Sequence, residues 1–145
     1  MRIRDILRVK GASVVTVPPD TPVEGLIRQL AHHRIGAVVV SRDGVTVEGI
    51  VSERDVVRTL AERGPAVLAE PVSAIHTSQV RTVSPEAHLE DVERLMTERR
   101  FRHVPVVVDG RLSGVVSIGD VVKNRIDELE TERTTLADYI TGDRT

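Results

Sequence analysis

The chain repeats itself, so its fold has to accommodate one unit twice. Gly49-Ile50-Val51-Ser52-Glu53-Arg54-Asp55-Val56-Val57-Arg58 returns as Gly114-Val115-Val116-Ser117-Ile118-Gly119-Asp120-Val121-Val122-Lys123, at a constant offset of 65. Upstream the offset is 66: Thr16-Val17 falls on Thr82-Val83, Leu30 on Met96, Val38-Val39-Val40 on Val104-Pro105-Val106, and Asp43-Gly44 on Asp109-Gly110. One extra residue between Gly44 and Gly49 accounts for the change of register. A unit of about 60 residues buries its apolar faces poorly alone, so the two copies are expected to share a core.

Each copy reads as strand, helix, strand, strand, helix. In the first, Val14–Val17 is a β-branched run, and Thr21-Pro22-Val23-Glu24 opens a helix with Thr21 as the expected cap. Val23, Leu26, Ile27 and Leu30 give that helix an apolar stripe. Two strands follow, near 36–40 and 47–51, joined around Asp43-Gly44, a dipeptide suited to positive φ. Ser52 starts a helix that runs to about Glu62, before Gly64-Pro65. The second copy places the same elements at 80–83, 86–99, 104–108, 112–116 and from Ser117 onward. A short amphipathic piece at Val72–Ile75 resembles Ile3–Leu7. The expected organisation is repeat 1 over 1–64, a linker over 65–79, repeat 2 over 80–125 and a helical extension over 126–145. The fold class is α/β (α+β), with the two sheets packed together about a pseudo-twofold axis.

The last helix outruns its repeat. No Gly or Pro appears between Asp120 and Gly142, and Val122, Ile126, Leu129, Leu136 and Ile140 follow a 4-3-7-4 spacing with Arg133 at the skipped position. That is the seam of a coiled coil, and it predicts self-association, most simply a homodimer.

Composition excludes several functions. Phe101 and Tyr139 are the only aromatic residues besides histidine, which leaves almost no stacking platform for single-stranded nucleic acid. Lys+Arg 20 against Asp+Glu 22 gives a net charge of −2, without the basic footprint of a DNA-binding protein. There is no cysteine, and the adjacent His32 and His33 diverge on a helix, so no metal site is expected. No long apolar run suggests a membrane span, and a cytoplasmic address is expected.

The polar residues that repeat are Ser52 with Asp55 and Ser117 with Asp120, each pair at i, i+3 where a strand passes into a helix. That spacing is close to a capping box, which stabilises a helix by roughly 1 kcal/mol and requires no ligand. The same geometry also suits a nucleotide. A helix N-terminus attracts phosphate, the Ser hydroxyl adds a donor, and an Asp facing the cleft can accept two bonds from a ribose diol. Gly49 and Gly114 allow close approach of another backbone, and Val38, Val51, Val104-Pro105 and Val116 supply apolar cleft walls for an adenine ring.

The doubled Gly-h-h-Ser-x-x-Asp-h motif (h apolar), each copy preceded by a strand, a helix and a Val-rich hairpin, resembles a tandem pair of CBS domains, or Bateman module. The resemblance covers residues 2–125 and is closest to stand-alone bacterial members. It implies a regulatory sensor without a required cofactor, not an enzyme. Its ligand would be AMP, ADP or ATP, with S-adenosylmethionine or NAD as further candidates, and it would signal to a protein effector. It assigns ribose to Asp55 and Asp120 and phosphate to Ser52 and Ser117. Arg102 and His103 precede the second hairpin and would reach phosphate, whereas the first copy has Gly36-Ala37 there. Arg54 stands where the second motif has Gly119, and Thr16 and Thr82 would lie near the adenine edge. One working site and a weaker second one are therefore expected. The alternative is an adaptor or dimerisation module in which Ser52 and Ser117 only cap helices.

Overall fold

The computed structural model describes residues 1–11 and 14–141. The chain runs α1 (Ile3–Lys10), β1 (Thr16–Val17), α2 (Val23–His33), β2 (Ala37–Val40), β3 (Gly49–Ser52), α3 (Glu53–Arg63), α4 (Leu89–Arg99), β4 (His103–Val108), β5 (Arg111–Ser117) and α5 (Ile118–Thr141). Short 3-10 turns at Pro65–Ala69 and Val72–Ala74 bridge α3 to the second repeat. Gly142, expected to stop the last helix, and the tail after it lie outside the described residues.

In the first repeat β1 pairs parallel with β2, and β2 antiparallel with β3. The second repeat keeps the hairpin β4–β5, but its expected first strand shrinks to one parallel bridge, Val83 to Val106. Pro105 accounts for the reduction. Its carbonyl accepts from Val83 N–H at 3.1 Å, so its backbone edge faces that segment, yet it has no N–H to offer in return. Val39 holds the matching place in repeat 1 and pairs with Thr16.

The turns and caps differ from expectation in detail. Asp109 and Gly110 both have positive φ, as a two-residue hairpin turn requires. In the longer first loop only Gly44 does, and the Asp43 carboxylate organises the loop by accepting from Val45 N–H, Thr46 N–H and the Ser41 hydroxyl. These bonds hold its pKa below the usual carboxylate value. α2 begins at Val23 with Pro22 at the cap and no side-chain capping bond, so Thr21 does not serve as predicted. α4 starts at Leu89, three residues later than expected, because Ala87 N–H closes a turn on the Ser84 carbonyl.

There are two aliphatic cores, and each takes a piece from beyond its own repeat. Val67, Val72 and Ile75 of the connecting segment are buried with Val17, Leu26, Val38 and Val51. Ile3 and Ile6 of α1 are buried with Leu89, Val92, Val104 and Val116 of repeat 2. Backbone bonds fasten the exchange: Ile3 N–H donates to Ala87 O at 2.9 Å, and Val72 N–H to Thr21 O at 2.8 Å. The amphipathic piece ahead of each repeat thus packs on the other one. At roughly 1.5–3 kcal/mol per fully buried aliphatic side chain, Ile3 alone ties the N-terminus firmly to repeat 2.

Candidate ligand-binding cleft

Both motifs form the capping boxes their spacing allows. Asp55 N–H donates to Ser52 Oγ at 3.2 Å, and Asp55 Oδ2 accepts from Ser52 N–H at 2.9 Å. Asp120 and Ser117 repeat both distances. Each cap uses Oδ2 of its carboxylate. Asp55 Oδ1 meets the exposed guanidinium of Arg58 at 3.0 Å, whereas Asp120 Oδ2 also takes Lys10 Nζ at 2.6 Å. Burial pushes the Asp120 carboxyl up, but the bonds from Lys10 and Ser117 together with the Lys10 charge outweigh it and hold the pKa below the usual value.

The glycine ahead of each motif serves a close contact, as its position suggested, but with a side chain instead of a backbone. A Cβ on Gly49 would sit 2.6 Å from the His76 ring, and one on Gly114 would sit 2.6 Å from Leu7 Cδ2. His76 and Leu7 belong to the two exchanged segments.

A cleft of about 370 Å³ opens between the repeats. Repeat 1 contributes Gly36, Ala37, Ile50, Ser52, Arg54, Asp55 and Arg58; the other wall brings Thr77, Gln79, Val80, Arg81, Phe101, Arg102 and His103. The structure therefore brings together Ser52, Arg54, Asp55, Arg102 and His103. Gly36 explains how: His103 Cε1 lies 3.3 Å from where its Cβ would be, so the missing side chain in repeat 1 makes room for the imidazole of repeat 2. Burial is the main cause that lowers the His103 pKa, with the Lys10 charge adding to it and Glu53 and Asp120 opposing.

A second cleft of about 280 Å³ is lined by Leu7, Lys10, Val14, Val15, Arg34, Gly114, Val115 and Ser117, with Gly36, Ala37 and His103 shared between the two. Arg34 and Arg100 cap α2 and α4 in the left-handed conformation, where glycine is usual, and each lines one of these clefts. In each cleft the motif of one repeat faces the segment leading into the other.

Other predicted site residues stand apart from these walls. Val38 and Val104 are wholly buried, one in each core, and Pro105 is buried beside Val104; they were expected to flank an adenine. All four residues of β2 are buried, so no alternation marks a cleft-facing side. Thr16 pairs with Val39 in the sheet, and Thr82 is exposed next to Arg81. Ile50, Thr77, Gln79, Val80 and Arg81 were missed. Their signal was the resemblance of 72–75 to 3–7, which marks a segment used in the same way twice.

The model of the CBS domain matches residues 3–62 and 72–127. The chain belongs to the CBS domain family. It is 34% identical over 148 residues to the CBS domain-containing protein CBSX3, mitochondrial, of Arabidopsis thaliana, covering 97% of this chain and 72% of that protein. Among solved CBS structures, the CBS-domain containing protein ATU1752 from Agrobacterium tumefaciens aligns with a TM-score of 0.83 at 44% identity, over 86% of this chain and 99% of that one. The CBS domain protein PAE2072 from Pyrobaculum aerophilum, complexed with AMP, aligns with a TM-score of 0.73 at 31% identity, over 83% and 89%. No helix among the described residues of this CBS pair is long and apolar enough to cross a membrane.

Proposed function

We propose that this CBS pair is a regulatory module that binds an adenosyl ligand in the larger cleft and signals its presence to a protein effector. The observation that carries the reading is the convergence of Ser52 and Asp55 from one repeat with Arg102 and His103 from the other on one cavity. Phosphate would sit at the start of α3, beside Ser52 and the partial positive charge of the helix N-terminus. Asp55 retains acceptor capacity beyond its capping bonds for the ribose hydroxyls. AMP in the Pyrobaculum relative supports the same ligand class. A ligand bridging both repeats favours one relative arrangement of them, and an effector that prefers that arrangement then binds more tightly. The larger cleft is the stronger of the two, because Lys10 already occupies the carboxylate of the second motif.

The test is a thermal-shift panel of AMP, ADP, ATP, S-adenosylmethionine and NAD on the wild type, Asp55→Ala and Asp120→Ala. Ligand at about 100 times its Kd adds roughly 2.7 kcal/mol, a rise of several degrees. The reading predicts a rise that Asp55→Ala removes. No rise with any ligand would leave the motifs as helix caps and favour the adaptor.

We also assign α5 to homodimer formation. Val122, Ile126, Leu129, Leu136 and Ile140 are all about half exposed or more, at the spacing of a coiled-coil seam.

A further inference from the structure

We infer that the larger cleft selects an adenosyl ligand with two or more linked phosphates and rejects a cationic adenosyl sulfonium; this rests on the nucleotide reading above. Five arginines line the cleft, Arg54, Arg58, Arg81, Arg100 and Arg102, against two acidic residues, Glu53 and Asp55. Arg58 is engaged by Asp55. The other four make no ion pair and no side-chain hydrogen bond among the described residues, in contrast to Arg28, Arg42, Arg63 and Arg125, which are paired.

The cations reach the cleft from three places. Arg54 stands in the first turn of α3, Arg81 in the segment ahead of Val83, and Arg100 and Arg102 flank Phe101 between α4 and β4. A cavity walled by one sign of charge concentrates ligands of the other sign. Each guanidinium presents a planar fork that matches two phosphate oxygens. A single phosphate seated at Ser52 lies on the wall that carries Arg54, and Arg81 and Arg102 belong to the other wall. A chain of phosphates extending from it engages the cations of the facing wall as well. A sulfonium in place of the phosphate would set a positive charge among four unpaired ones.

The test is isothermal titration of the full chain with AMP, ADP, ATP and S-adenosylmethionine, on the wild type and on the double variant Arg54→Gln, Arg102→Gln. Both arginines are exposed, so the variant should fold, and its unliganded melting curve verifies this. ADP and ATP should bind at least about tenfold more tightly than AMP, one charge-assisted contact's worth. S-adenosylmethionine should fail to compete with ADP, and the double variant should lose most of the preference for ADP over AMP. Equal affinity for AMP and ADP, or competition by S-adenosylmethionine, overturns this inference and leaves the nucleotide reading standing. Binding by none of the four overturns both.

Discussion

Lys10 Nζ lies 2.6 Å from Asp120 Oδ2 and 2.8 Å from the Val115 carbonyl, fastening the end of α1 to the motif of the second repeat. The folded Asp120 pKa is below its ordinary 3.8, so folding favours the carboxylate. The resulting stability is complete above about pH 4 and lost as pH falls through the folded pKa. Both side chains are partly exposed, and solvent screening limits the pair to roughly 0.5–1 kcal/mol. Lys10→Met should therefore lower the melting temperature by about 2–3 °C near pH 7. The gap to wild type should narrow as pH falls below 3.8 and through the lower folded pKa, as followed by circular dichroism; a gap unchanged with pH would mean that Lys10 acts through packing.

Gly49 and Gly114 hold equivalent places but differ in what a methyl group would strike. At Gly114 the obstacle is the end of the flexible Leu7 side chain; at Gly49 it is the His76 ring. Overpacking of this kind costs roughly 1–3 kcal/mol. Gly49→Ala should be the more destabilising of the two in urea titrations, and Gly114→Ala should fall near the low end. Equal costs would indicate that the His76 ring moves aside freely.

The sequence made legible what is local. Ser52 with Asp55, Ser117 with Asp120 and the Asp109-Gly110 turn are set by contacts within four residues, and their positions follow from spacing alone. What depends on long-range packing was hidden. Ile3 and Ile6 look like the apolar face of the first repeat's opening helix, yet they are buried in the second core. Val38 and Val104 read as cleft walls because an apolar run gives no clue to which face meets a cavity. Gln79 and Arg81 line the cleft because the end of the linker and the start of repeat 2 run along the facing wall, a path that no local pattern encodes.

The apolar seam of α5 yields a prediction about assembly. Wild-type protein should sediment as a dimer, and Ile126→Glu, Leu136→Glu should sediment as a monomer with unchanged helix content. Burying two like charges in a coiled-coil core is strongly unfavourable, while on a solvated helix it costs little. A monomeric wild type would remove α5 as a self-association surface.

The most direct measurement is a crystal structure of the chain grown with ADP. Ligand density is expected between the repeats, with the ribose hydroxyls on Asp55, a phosphate at the start of α3, and the Arg102 guanidinium turned onto the phosphates. Density confined to the smaller cleft beside Lys10, or an unoccupied larger cleft at saturating ADP, would contradict it.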